Sequence, residues 1–134
     1  MDIMNLSESQ IETLETALED YDRQFAPAPI DHRISIGIVR DGEVIAGLDA
    51  SMTAFRILYV STVYVAQAYR RQGYGRSLME EMERRAKALG ANTVRLDSFS
   101  WQGREFYQAL GYQEVGHYRN DTDDYEEYFF IKRI

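Results

Sequence analysis

VAQAYRRQGYGR, residues 65–76, closes a β-branched run and opens a helix, and sets Gly73 and Gly75 among Arg70, Arg71 and Arg76. A helix that starts directly after a strand presents first-turn amides with no intrahelical partner and the positive end of its dipole. The two glycines let the chain turn tightly and keep side chains away from those amides. The three arginines add positive charge in a chain whose net charge is −7. Such a junction suits an anion, and a phosphate above all. Two familiar phosphate loops do not fit. A Walker loop ends in Gly-Lys-Ser/Thr after four spacers, whereas Gly75 is followed by Arg76-Ser77 with no earlier glycine in place. A dinucleotide fingerprint needs a third glycine where Leu78 stands.

Upstream, residues 56–65 are too apolar for a half-exposed strand and read as a central one. Before them, strands over 33–40 and 43–50 are joined by Asp41-Gly42, a strong hairpin signal. Residues 7–25 place Ile11, Leu14, Leu18, Tyr21 and Phe25 at helical spacing, with Ser7 and Gln10 in capping-box positions. Ala26-Pro27-Ala28-Pro29 should stop that helix.

Downstream, the helix opened by the glycines runs to about Leu89, with Gly90 as its C-terminal cap. Strands over 92–99, 112–118 and 125–133 and a short helix over 102–110 complete the chain, with a polar turn at 119–124. The order predicts an α/β (α+β) domain with a mixed, mostly antiparallel sheet. Its parallel pair comes from the strand–helix–strand unit over 56–99.

The 134 residues suffice for one domain, expected to span 1–134. No apolar run approaches the roughly 20 residues a membrane span requires, so no membrane partner is expected. MDIMNLSESQ has no basic n-region, which points to a cytoplasmic protein. Without cysteine there is no disulfide, thiolate metal site or cysteine nucleophile, and His32 and His117 are too few for a histidine-rich metal centre. The acidic balance argues against nucleic acid as a partner.

Arg70-x-x-Gly73-x-Gly75 after ILYVSTVYV resembles the pyrophosphate loop of the GNAT-family N-acetyltransferases. A second stretch, LDSFSWQ (96–102) followed by FYQALGY (106–112), is similar to that family's later strand and helix and looks like a bacterial subgroup of small GNAT proteins. The resemblance covers about residues 40–133. It implies the acyl-CoA N-acyltransferase fold, with helices on both faces of the sheet and a splay between the central parallel strands.

It further implies acetyl-CoA as co-substrate, held at the pyrophosphate by Arg70, Arg71, Gln72, Gly73, Tyr74, Gly75 and Arg76. Val63, Tyr64 and Val65 would pair their backbone with pantetheine, and an amide there would polarise the thioester carbonyl. Ser100 stands where many members carry a pantetheine-binding asparagine, and Phe106 adds a cofactor contact. Tyr107 matches the tyrosine that protonates the leaving thiolate; its ordinary pKa of about 10 keeps it protonated at neutral pH. No metal is needed.

The implied acceptor is a small-molecule amine, and a cationic one suits the acidic turn of Asp121, Asp123, Asp124, Glu126 and Glu127. Trp101 and Tyr112 either line the acceptor pocket or only pack. Ser61 and Thr62 replace the glutamate often found on the central strand, which leaves Asp49 and Asp97 as the nearest candidates for a base and the base unassigned. Homodimers are common in such folds. A non-catalytic acyl-CoA sensor and a protein or peptide acetyltransferase are the alternatives.

Overall fold

A computed structural model describes residues 1–26 and 30–134, so the proline stop at Pro27 and Pro29 lies outside the described residues. The chain runs α1 (Glu8–Asp22), β1 (Arg33–Arg40), β2 (Glu43–Met52), β3 (Ile57–Val65), α2 (Tyr74–Ala88), β4 (Thr93–Phe99), α3 (Arg104–Ala109), β5 (Gln113–Asn120) and β6 (Tyr125–Arg133). The strands form one six-stranded sheet in the order β1-β2-β3-β4-β6-β5. Only β3 and β4 pair in parallel. No helix among the described residues is long and apolar enough to cross a membrane.

The local signals act as the chain suggests. Asp41 and Gly42 both have positive φ, 50° and 80°, the requirement of a type I′ hairpin turn. Gly90, at φ 99°, follows the end of α2 in the left-handed conformation that closes many helices. Ser7 and Gln10 form a complete capping box: the Gln10 amide donates to Ser7 Oγ at 3.3 Å, and the Ser7 amide donates to Gln10 Oε1 at 2.9 Å.

One core lies between the sheet and the helix pair α2 and α3. Leu78, Met79, Met82 and Ala86 of α2 are buried against Ala46, Leu48 and Ala50 of β2 and Leu58 and Val60 of β3. Tyr107 and Leu110 join the same cluster beside Tyr128 and Phe130 of β6. Met82 is wholly buried, so truncation to alanine would cost about 2–5 kcal/mol.

Two expectations need correction. Helices were expected on both faces, yet α2 and α3 share one face and α1 buries none of its residues. Ile11, Leu14, Leu18, Tyr21 and Phe25 stay exposed, because a helical period says which residues share a face and not whether anything covers it. The strand β3 is central in the sheet, but Ser61, Thr62 and Tyr64 are exposed. The reason lies in how β3 leaves β4.

Candidate active site

The pairing of β3 with β4 stops early. Ile57, Leu58 and Tyr59 lie beside Thr93, Val94 and Arg95, and no later pair follows. The cause sits in β3. Asp49 faces Thr62 and Ala50 faces Val60, which leaves Ser61 as an extra residue. A bulge bends its strand and shifts the alternation of its side chains. Leu58 and Val60 therefore enter the core before it, while Val63 and Val65 pack against the same core after it. The Ser61 hydroxyl donates to the Asp49 carbonyl at 3.1 Å and holds the bulge.

The parted strands open a cleft of about 1010 Å³, the size of a pocket for an extended small ligand. Ser61–Val65 form one wall and Leu96–Phe99 the other. Across the gap, the two strand edges have no ladder partner among the described residues. The start of α2 and the α3 residues Phe106 and Tyr107 close the end.

Gly73 is the N-cap of α2, with φ 87° and ψ 2°. A Cβ there would meet nothing within 4 Å, so glycine is required by conformation rather than by space. Arg71 is also left-handed, at φ 62°, a conformation that costs a non-glycine residue about 1–2 kcal/mol. Turns built with left-handed residues gather amides into anion-binding concavities, and here the α2 amides stand beside them.

The arginines differ in task. Arg70 Nε donates to the Val65 carbonyl at 2.8 Å, and its guanidinium stands 5.6 Å from the Tyr64 ring, so it braces the end of β3. Arg76 lies 3.6 Å from Glu80 in an exposed pair of little energetic weight. A further cation, Arg40, reaches the loop from the end of β1. It donates to the Tyr74 hydroxyl at 2.7 Å and stands over the Tyr69 and Tyr74 rings at 5.7 and 5.4 Å. Nothing local in the chain signals Arg40; the hairpin register brings it there.

Val63, Tyr64, Val65, Arg70, Arg71, Gly73, Tyr74, Gly75, Arg76, Phe106 and Tyr107 all line the cleft. Gln72 and Ser100 do not. The Gln72 amide group turns back to the Ala68 carbonyl at 3.2 Å. Ser100 is tied to β6, its Oγ accepting from the Glu126 amide at 3.3 Å and its own amide donating to the Glu126 carbonyl at 2.9 Å.

Tyr107 is buried, and burial first and the Asp97 charge second push its hydroxyl up to about 12. No buried side-chain polar atom among the described residues lacks a partner, and nothing bonds the Tyr107 hydroxyl, so its oxygen opens to the cleft.

The candidate bases separate cleanly. Asp49 is gripped by Arg33 through two bonds of 2.8 and 2.5 Å and by Ser35 at 2.6 Å. Those bonds hold its carboxyl well below the usual carboxylate range. Asp97 lines the cleft and accepts from the Tyr59 hydroxyl at 3.0 Å. Tyr112 only packs: it is buried and donates to Glu83 at 3.3 Å. Trp101 lines the cleft mouth. Within the acidic turn a single cation, Arg119, is shared by three carboxylates: it pairs with Asp121 and Glu126 at 3.3 and 3.7 Å and with Asp124.

Comparison with known proteins agrees with this geometry. A model of the acetyltransferase (GNAT) family matches residues 2–112. The crystal structure of an acetyltransferase from Bacillus cereus superposes with a TM-score of 0.85 at 26% identity, covering 100% of this chain and 98% of the other. An aminoglycoside 6'-N-acetyltransferase complexed with coenzyme A gives 0.67 at 17% identity, with 98% and 97% covered. The ribosomal-protein-S18-alanine N-acetyltransferase from Escherichia coli gives 0.67 at 19%, with 99% and 93% covered. No curated protein matches the chain.

Proposed function

Since the chain belongs to the GNAT acetyltransferase family, we propose that it is an acetyl-CoA-dependent N-acetyltransferase acting on a primary amine. The observation that carries the reading is the splay: a bulge at Ser61 parts two parallel strands directly above a helix that starts on left-handed Gly73. Acetyl-CoA supplies an acetyl group activated as a thioester, and structural neighbours of this fold are complexed with coenzyme A.

The residues suit such a co-substrate. Unpaired α2 amides, with Arg71 and Arg76 beside them, hold the pyrophosphate. The free edge of β3 at Val63–Val65 binds the amide-bearing arm as a neighbouring strand would, and a β3 amide polarises the thioester carbonyl.

Tyr107 faces the departing sulfur. A hydroxyl held near 12 is a weaker acid than a thiol of about 8.5, so it steadies the thiolate mainly by donating a hydrogen bond. The attacking nitrogen must be neutral. Of Asp49 and Asp97 only Asp97 lines the cleft, and it stands where that proton can leave.

The test is release of free thiol when the protein is incubated with acetyl-CoA and a panel of primary amines, with the acetylated product identified by mass. Amine-dependent release supports acetyl transfer. Binding of acetyl-CoA with no release across the panel would instead mark an acyl-CoA sensor.

A further inference from the structure

The face of the sheet turned away from α2 carries a patch that adjoins the cleft and of which the acetyl-transfer reading above uses only Asp97. In β4 the buried residues are Val94, Leu96 and Ser98, so Asp97 and Phe99 belong to the opposite face. Across the ladder, Phe99 pairs with Glu127 and Asp97 with Phe129, and Glu127 in turn pairs with Tyr118 of β5. The period of two puts these side chains on one surface.

The aromatic rings form a continuous wall beginning at the cleft. Phe99 and Trp101 both line the cleft and stack at 4.8 Å with planes 7° apart. Tyr125 meets both edge-on, at 5.5 and 6.1 Å. Tyr118 continues the wall, 6.4 Å from Tyr125. Trp101 is 68% exposed, and with Phe99, Tyr125 and Tyr118 it makes a contiguous aromatic patch and not a lone surface residue.

Two carboxylates sit inside this wall without a salt bridge among the described residues; the cation beside them, Arg95, stands over the Tyr59 ring at 4.4 Å instead. Nearby acids each have a cation within salt-bridge distance: Asp49 has Arg33, Glu114 has Arg104, and Glu126 shares Arg119. Among the described residues no such pair is made by Asp97 or Glu127, and Asp97 has only the Tyr59 hydroxyl. Burial and the Asp97 charge push the Glu127 carboxyl above its ordinary value, as expected of two anions that lack a counter-ion.

An aromatic corner, with Tyr125 perpendicular to the Phe99–Trp101 stack and two carboxylates beside it that make no salt bridge, is complementary to an organic ammonium joined to a planar group, through ion pairing and cation–π contact together. We propose that this patch is the acceptor subsite and that its substrate is an arylalkylamine: ammonium between Asp97 and Glu127, ring against Phe99, Trp101 and Tyr125. The assignment rests on the acetyl-transfer reading and adds the substrate class to it.

Trp101 is the chain's single tryptophan, so its fluorescence reports on the subsite independently of turnover. Phenethylamine, butylamine and spermidine are titrated against the protein while fluorescence is followed, and the same amines are then compared in thiol release. Acetyl-CoA binding is measured separately.

Phenethylamine is expected to give a saturable change at a concentration about tenfold below that for butylamine, and a kcat/KM about tenfold higher. Glu127→Gln should raise KM for phenethylamine about tenfold more than it lowers kcat. Trp101→Ala, a change at an exposed site that leaves the core intact, should abolish the preference for the aryl amine.

Equal use of all three amines, or a preference for spermidine, overturns the subsite while leaving acetyl transfer in place. Failure to bind acetyl-CoA at all overturns the acetyl-transfer reading instead, and fluorescence then decides the subsite alone.

Discussion

Gly75 and Phe106 interlock: a Cβ placed on Gly75 would come within 3.1 Å of the Phe106 ring and 3.7 Å of Val65. The helix start, the α3 aromatic and the end of β3 thus meet at one point of the cleft. Gly75→Ala forces the ring to shift by a few tenths of an ångström. A gain in helix propensity of up to about 1 kcal/mol opposes the crowding. We expect stability to change little while acetyl-CoA affinity falls about tenfold, roughly 1.4 kcal/mol. Denaturant unfolding beside calorimetry separates the two.

Gly73 presents the opposite case. Space is free but φ is 87°, so Gly73→Ala should cost about 1–2 kcal/mol through backbone strain alone. Gly73→Asn should cost less, because asparagine tolerates the left-handed region. Gly73→Glu adds negative charge at the helix start and is expected to abolish acetyl-CoA binding. Unfolding midpoints of the three variants, with titration of the last, check this ranking.

Tyr107→Phe removes a hydroxyl that bonds to no protein group among the described residues, so folding and acetyl-CoA affinity should be kept. Turnover should fall by about 10²–10³, the usual cost of losing one hydrogen-bond donor to a developing anion. A variant with wild-type kcat would exclude the tyrosine from the chemistry.

Alkaline pH should weaken the fold through the same residue. Burial raises Tyr107 to about 12 and also raises Tyr112, which donates to Glu83. A group whose folded pKa is raised stabilises the fold fully below its unfolded pKa of about 10, and that contribution is lost as pH rises through about 12. For Tyr107 the loss is roughly 2–3 kcal/mol. Tyrosinate absorbance should show Tyr107 and Tyr112 ionising above the ordinary tyrosine range. A single transition near the ordinary value would contradict the burial argument.

The elements were legible because each has a local cause. Asp41-Gly42 makes its hairpin, Ser7 and Gln10 cap α1, and Gly73 and Gly75 open α2, all within a few residues of chain. The bulge at Ser61 was not legible. Two residues facing one partner is a property of the β2–β3 register, and ILYVSTVYV on its own reads as an unbroken strand. The exposed apolar stripe of α1 was missed for a related reason, since a helical period says which residues share a face and not whether anything covers it.

The site divides along the same line. The glycine–arginine loop and Tyr107 each lie in a contiguous stretch of chain, and the fold brings both to the cleft. Asp97 and Glu127 are set apart only by cations that bind the other acids, Arg33 on Asp49 and Arg119 on Glu126. Those pairings join residues far apart or across a hairpin and exist only in the fold.

The claim that the splay and the Gly73 junction hold acetyl-CoA is tested most directly by calorimetric titration of the protein with acetyl-CoA, with ATP and NAD as controls. Saturable micromolar binding of acetyl-CoA alone is the expected result. No heat with acetyl-CoA, or equal affinity for all three, would mean that VAQAYRRQGYGR is only a helix start in a basic setting.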